Sequence, residues 1–384
     1  MNFEFIQDVR VLSGPGRIKD LGPLLQDLGS PKALLVTDPG LIAAGVVQKA
    51  VSSLERAGIA YALFDKVQAD PPSHIITEGF AAYQANDCGA VVAIGGGSAI
   101  DTAKGINILA YNPGAILDYC NPANPMAHTR NLVVVPTTSG TGSELSDGLV
   151  ITAPDGAKVP ILAVNGMANY AVLDPQLTLA LPAGLTAATG MDAFAHAAEG
   201  FTSTAATALT DTVCLGAMET VYTWLPAAVK DGGNLEARAH MQAASTIGGW
   251  MLRNSHTHAG HSVAHILGSR LHIPHGLACA LALPWVLEYN APALPEKTRV
   301  IGRLLGADIA AAADPEQIGQ KTRQALMVFA HDILGLPGAS RFAPGKASYP
   351  ALAKEIAEEL FQAFNPRPMT EKDALALLDN LFHS

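Results

Sequence analysis

The feature that most constrains this chain is a rhythm through its first 180 residues. Short β-branched, apolar runs alternate with stretches of helical period. Ala33-Leu34-Leu35-Val36-Thr37 and Ala90-Val91-Val92-Ala93-Ile94 are apolar almost throughout. A strand with one wet face would alternate in polarity, whereas an unbroken apolar run marks a strand covered on both faces, as in parallel sheets. Strand candidates fall at 9–13, 33–37, 60–64, 89–94 and 132–135, with helical stretches at 17–28, 45–57 and 73–86 between them. Parallel strands need crossovers, and crossovers are right-handed. The expected first domain is therefore a Rossmann-like α/β layer with a mostly parallel sheet, and a nucleotide site belongs at the carboxyl ends of its strands.

Near Leu181-Pro182 the rhythm stops. Ala/Leu-rich helical periods follow at 186–200, 206–229, 235–252, 256–267, 277–289, 295–306, 315–334, 350–361 and 371–381, with almost no strand signal. Two domains are expected, an α/β domain over 1–183 and an all-helical domain over 184–384, a division that suits 384 residues. The cleft between two such domains is the natural place for a site. A net charge of −10 without a basic cluster argues against nucleic acid and anionic membranes as partners. No apolar run reaches membrane-spanning length, and the first residues lack a signal-peptide pattern. Cys88, Cys120, Cys214 and Cys279 are scattered without a CxxC. They read as buried thiols of a reducing cytoplasm, not as a disulfide frame or a thiolate metal site.

Two strands run into glycine-rich turns. Gly95-Gly96-Gly97-Ser98 leads into a helix carrying Asp101, and its free N–H groups and dipole suit a pyrophosphate. Pro136-Thr137-Thr138-Ser139-Gly140-Thr141-Gly142-Ser143-Glu144 offers hydroxyls and backbone N–H groups for phosphate, ribose or amide. Either alone could be only a turn, but two in one α/β domain point to a dinucleotide. Asp38 closes an early strand, where an acid usually binds a ribose diol. It is equally placed to cap a helix beginning near Pro39.

The second half holds Gly190-Met191-Asp192-Ala193-Phe194-Ala195-His196, then His261-Ser262-Val263-Ala264-His265, then Pro274-His275-Gly276. Asp192 and His196, like His261 and His265, are four apart and share a helix face. His275 falls at a loop–helix junction. A carboxylate with several imidazoles is a ligand set for a divalent first-row metal. Any one of these histidines alone would more simply be a core residue, and spacing does not say which of them ligate.

Together GGGSAIDTAKG (95–105), PTTSGTGSE (136–144), GMDAFAHAAEG (190–200) and HSVAHILG…PHG (261–276) resemble the iron-containing, or group III, alcohol dehydrogenase family. The resemblance covers nearly the whole chain, with the motifs in the family's order. It implies an NAD(P)-binding first domain, a helical second domain and a divalent metal between them. It assigns the metal to Asp192, His196, His261 and His275, and puts His265 beside it as a catalytic proton relay. It gives Gly95, Gly96, Gly97, Ser98, Asp101, Thr137, Thr138, Thr141 and Lys158 to the cofactor, and makes Asp38 the acid that favours NAD over NADP. All four metal positions are filled, unlike in the metal-free maleylacetate reductases. Fe²⁺ is the expected ion, with Zn²⁺ and Ni²⁺ acceptable to the same ligands.

The resemblance implies a cytoplasmic homodimer or larger homo-oligomer that interconverts a small primary alcohol and its aldehyde. The stretch 249–258 departs from the family's apolar pattern. Arg253, Thr257 and a small Gly148 would then favour a substrate carrying a second polar group. A dehydroquinate-synthase-like lyase, a glycerol-dehydrogenase-like polyol oxidoreductase and a non-catalytic nucleotide sensor are the alternatives on this architecture.

Overall fold

The computed structural model describes residues 3–383. The chain forms two units, one of residues 6–181 and one of residues 182–383 joined by residues 3–5. The division falls two residues before the expected boundary. The N-terminal residues belong to the helical unit, where the Phe5 ring lies 4.7 Å from that of Trp250.

In the α/β unit, strands β1 (Arg10–Ser13), β2 (Lys32–Val36), β3 (Ala60–Phe64), β4 (Ala90–Gly95), β5 (Leu132–Pro136), β6 (Gly148–Thr152), β7 (Lys158–Leu162) and β8 (Tyr170–Leu173) occur in chain order. Six form one sheet in the order β1-β8-β5-β4-β2-β3, with every pairing parallel. The apolar runs are where two-sided burial demands them: β4 and β5 are buried along their whole length. β3 lies at an edge and leaves Tyr61 and Leu63 exposed. β8 is not among the strand candidates. β6 and β7 make a separate antiparallel hairpin.

The helices of this unit are α1 (Leu21–Asp27), α2 (Pro39–Ala43), α3 (Val46–Arg56), α4 (Ser73–Ala85) and α5 (Gly97–Tyr111). α3 buries Val46, Val47, Ala50, Val51 and Leu54, a single stripe at helical spacing. That stripe packs with Leu35, Val92 and Val133 of the sheet. The chain leaves β2 for β3 on one side and β4 for β5 on the other. The switch point thus lies between β2 and β4, where nucleotides bind in such sheets.

The helical unit contains α6 (Ala183–Thr202), α7 (Ala208–Lys230), α8 (Leu235–Asn254), α9 (Ala259–Leu271), α10 (His275–Asn290), α11 (Pro295–Leu304), α12 (Pro315–Met327), α13 (Tyr349–Glu358) and α14 (Glu371–His383). α6 is buried almost all round, which explains its run of alanines and glycines. α9 starts three residues later than its apolar period suggests. His256 adopts a left-handed φ of 61°, which no helix continues through. The period expected over 315–334 is an α-helix only to Met327, and Val328–Ile333 is a π turn. Among the described residues no helix is long and apolar enough to cross a membrane.

Candidate functional site

Three helices of the helical unit bring together four side chains of types that can ligate a metal. α6 supplies Asp192, α9 supplies His261, and α10 supplies His275 and Cys279. One ligating atom of each lies within 4.8 Å of all the others. Asp192 Oδ1 stands 3.6 Å from His261 Nε2 and 3.5 Å from His275 Nε2. The approach of α10 to α6 rests on Gly276, where a Cβ would come 2.3 Å from the Ala188 carbonyl oxygen. His196 lies beside this group. Its Nε2 is 3.9 Å from Asp192 Oδ1, and its ring stacks on that of His261 at 4.6 Å.

Burial alone would raise the Asp192 carboxyl pKa, but the imidazoles of His196 and His275 hold it well below the ordinary value. Burial would lower His275, yet Cys279 and Asp192 bring it up to about 10. Asp192 Oδ1 is sealed from water and accepts no hydrogen bond. An anionic oxygen so placed, with ring nitrogens around it just beyond hydrogen-bond range, is what a divalent cation fits. The Asp192 and His261 side chains are 2% and 4% exposed, whereas His275 is 32% exposed. The group is therefore open on one side, as a catalytic site requires.

Behind the group lies Glu199, three residues after His196 on α6. Its Oε1 is 2.6 Å from His261 Nδ1, and its Oε2 accepts the backbone N–H groups of His258 and His261 at 2.8 and 3.1 Å. With the proton on Nδ1, the lone pair of His261 Nε2 faces Asp192, the tautomer a ligand needs. Burial would raise Glu199, but His261 and His258 push it down to about 2. His265 stands next on α9, its ring 6.1 Å from that of His261 and 5.6 Å from that of His275. Its Nδ1 is 3.0 Å from Glu359 Oε1.

His258 is fully buried, with Nε2 2.8 Å from Thr202 Oγ1, and burial pushes its pKa down to about 4. The folded state therefore binds fewer protons than the unfolded chain between the ordinary value of about 6.5 and about 4. The stability this confers is complete above that window and is lost as pH falls through it. Metal-stripped protein should lose about 2 kcal/mol from this group between pH 7 and pH 5. Denaturant unfolding of wild type and His258→Asn at both pH values checks it. An equal acid loss in both proteins would remove His258 as the cause.

In the α/β unit, β2, β4 and β5 are neighbours, so Asp38, the Gly95–Ser98 turn and the Thr137–Thr141 turn follow adjacent strand ends. Asp38 does cap α2, accepting the Leu41 N–H at 3.0 Å. A Cβ on Gly97 would lie 2.8 Å from Thr141 Cγ2, so a side chain there would have to displace Thr141 from its place beside the first turn. Asp101 works within the protein: Oδ1 accepts Ser143 Oγ at 2.7 Å and Oδ2 accepts the Val150 N–H at 3.0 Å. Lys104, buried, donates to the carbonyls of Ser146 and Gly148 at 2.9 and 2.8 Å. These two side chains tie the second turn and the hairpin to α5. Lys158 Nζ pairs with Asp70 Oδ1 at 2.7 Å.

Of the polar stretch before α9, Arg253 lies in the last turn of α8 and the His256 ring rests on Phe364 at 4.1 Å. Thr257 is fully buried and its Oγ1 has no hydrogen-bond partner. Thr257 and His258 thus point inward. The residues that sequence reading passed over are Glu199, Glu359 and Lys104, and it set Cys279 aside as a buried thiol. Cys279 is four residues after His275, the same spacing that flagged the other pairs, and Glu199 continues the Asp192–His196 face. Glu359 meets His265 across 94 residues and left no local signal.

A family model described as iron-containing alcohol dehydrogenase matches residues 8–175, and one for the C-terminal part of the Fe-containing alcohol dehydrogenase family matches 186–382. The chain is 34% identical to an NAD-dependent methanol dehydrogenase of Bacillus methanolicus, over 98% of both chains. It is 35% identical to a 1,3-propanediol dehydrogenase of Klebsiella pneumoniae, over 96% of both. A solved structure of a 1,3-propanediol oxidoreductase superposes with a TM-score of 0.93 at 34% identity, covering all of both chains.

Proposed function

The chain belongs to the iron-containing alcohol dehydrogenase family and is an oxidoreductase, and on that premise we propose that it moves hydride between a small primary alcohol and NAD at a centre built on Asp192, His196, His261 and His275. The observation that carries this reading is the buried Asp192 oxygen, unbonded among ring nitrogens and open towards His275. When bound, a divalent ion supplies Lewis acidity towards a substrate hydroxyl, and the nicotinamide supplies the hydride acceptor. Fe²⁺ follows from the family, and Zn²⁺ and Ni²⁺ suit the same donors.

The chain's own residues do the rest. Glu199 holds the His261 proton at Nδ1. Burial pushes the His265 pKa below its ordinary value, so at neutral pH its ring is neutral and able to take the hydroxyl proton at Nε2. Glu359, against Nδ1, stabilises the charged ring that results. The Gly95–Ser98 turn and the α5 N-terminus suit a pyrophosphate, with Thr137, Thr138 and Thr141 beside them. Asp38 suits the ribose diol and repels a 2′-phosphate. Asp101 acts through the second turn, and Lys158 reaches a ribose only by leaving Asp70.

The names of the two relatives support a small primary alcohol. A second polar group on it would rest on Arg253 and the space at Gly148. A cytoplasmic homo-oligomer is part of the same reading and is supported by the family alone.

The test is NADH formation from short primary alcohols by metal-stripped and refilled protein. Refilled protein should turn over with NAD and stripped protein should not. NADP should be poorer by roughly one to three decades, from a charge repulsion of about 1–4 kcal/mol at Asp38. Refilled protein that forms no NADH from any short primary alcohol would overturn the reading.

A further inference from the structure

We propose that the thiolate of Cys279 is itself a ligand of this metal centre, so that the donor set is mixed oxygen, nitrogen and sulfur. The inference rests on the reading that these helices hold a divalent ion. Cys279 Sγ lies 3.7 Å from His275 Nε2 and 3.9 Å from His261 Nε2, and joins them and Asp192 in the one mutually close group. Zinc–sulfur bonds of about 2.3 Å and zinc–nitrogen bonds of about 2.0–2.1 Å, at a tetrahedral angle, put S and N roughly 3.5 Å apart. The observed separations lie slightly above that value, so the sulfur stands where a ligand of the same ion would stand.

A second, independent feature points the same way. The unbonded Asp192 oxygen faces this group and is sealed from water. Cys279 is 1% exposed and one turn below His275 on α10, so its sulfur is held on the buried side of the group. His275 supplies the open side. The other three cysteines take no part: Cys88 and Cys120 lie in the α/β unit, and Cys214 is buried on α7 outside the group.

On binding, the thiol loses its proton to solvent and the sulfur lone pair makes the bond, with no change of oxidation state. A soft donor shifts preference towards zinc and cobalt relative to an all-oxygen-and-nitrogen set, and exposes the centre to oxidation at sulfur.

Cobalt(II) is the probe, loaded into metal-stripped full-length protein, with metal content measured by elemental analysis. The loaded wild type should show the near-ultraviolet sulfur-to-cobalt charge-transfer band. Cys279→Ala should lose that band. A triple variant, Cys88→Ser, Cys120→Ser and Cys214→Ser, should keep it, because Cys279 is then its one remaining thiol. Bound cobalt without the band in wild type, or a band that survives Cys279→Ala, overturns the proposal. If Cys279→Ala holds no cobalt, the triple variant decides by keeping or losing the band. Failure of wild type to bind cobalt at all would sink the metal reading itself, a result distinct from bound cobalt without the band.

Discussion

His261→Ala should lose its divalent ion and with it roughly two to four orders of magnitude in turnover, since a Lewis acid contributes several kcal/mol to such a transition state. The fold should survive. His261 sits among helices packed by Met191, Phe194, Val263, Ala264, Leu267 and Leu281, all of them buried apolar side chains that do not depend on a ligand for their contacts with one another. Elemental analysis and turnover are measured on the same preparation, with circular dichroism to check the helices. His265→Phe is the informative companion. It should keep its metal while losing rate, because that ring is tied to Glu359 through Nδ1. Undiminished metal in His261→Ala would remove His261 from the site, and loss of metal in His265→Phe would make that residue a ligand.

Glu199→Ala should cost about 3–5 kcal/mol of stability in metal-stripped protein. One carboxylate satisfies two backbone N–H groups and the His261 ring, and the truncation leaves all three donors buried and unpaired. It also opens space against Gly260, where a Cβ would approach Glu199 Oε1 to 2.5 Å. Denaturant unfolding of stripped wild type and variant measures the loss. Metal affinity should fall as well, by roughly 10–100-fold, because His261 loses the partner that fixes its tautomer. A stability loss below about 1 kcal/mol would show that water replaces the carboxylate.

What was legible in the sequence is whatever repeats locally. The two-sided burial of β2, β4 and β5 is written in their unbroken apolar runs, and the end of the α/β rhythm near Leu181 marks where the helices begin. The glycine turns after β4 and β5 and the i,i+4 pairs on α6 and α9 are equally local, since each needs only neighbours in the chain.

Tertiary structure alone decided the rest. Asp38 is placed by the sequence both to cap a helix and to bind a ribose, and only the folded turn shows that the cap is made, by the Leu41 N–H on its carboxylate. Asp101 and Lys158 are given to the cofactor by the resemblance, and only the fold shows the partners they hold within the chain, Ser143 with Val150 and Asp70 respectively. Glu359 reaches His265 across 94 residues. Cys279 reads in the sequence as a buried thiol, and only the packing of α10 against α9 sets its sulfur beside the His261 ring as well as beside its own helix neighbour His275. The physical reason is the same in each case. A helix or strand period reports which face is buried, whereas a buried polar atom takes whichever partner the packing of separate elements delivers to it. That choice is made by contacts between residues far apart in the chain, and spacing along the chain carries no record of it.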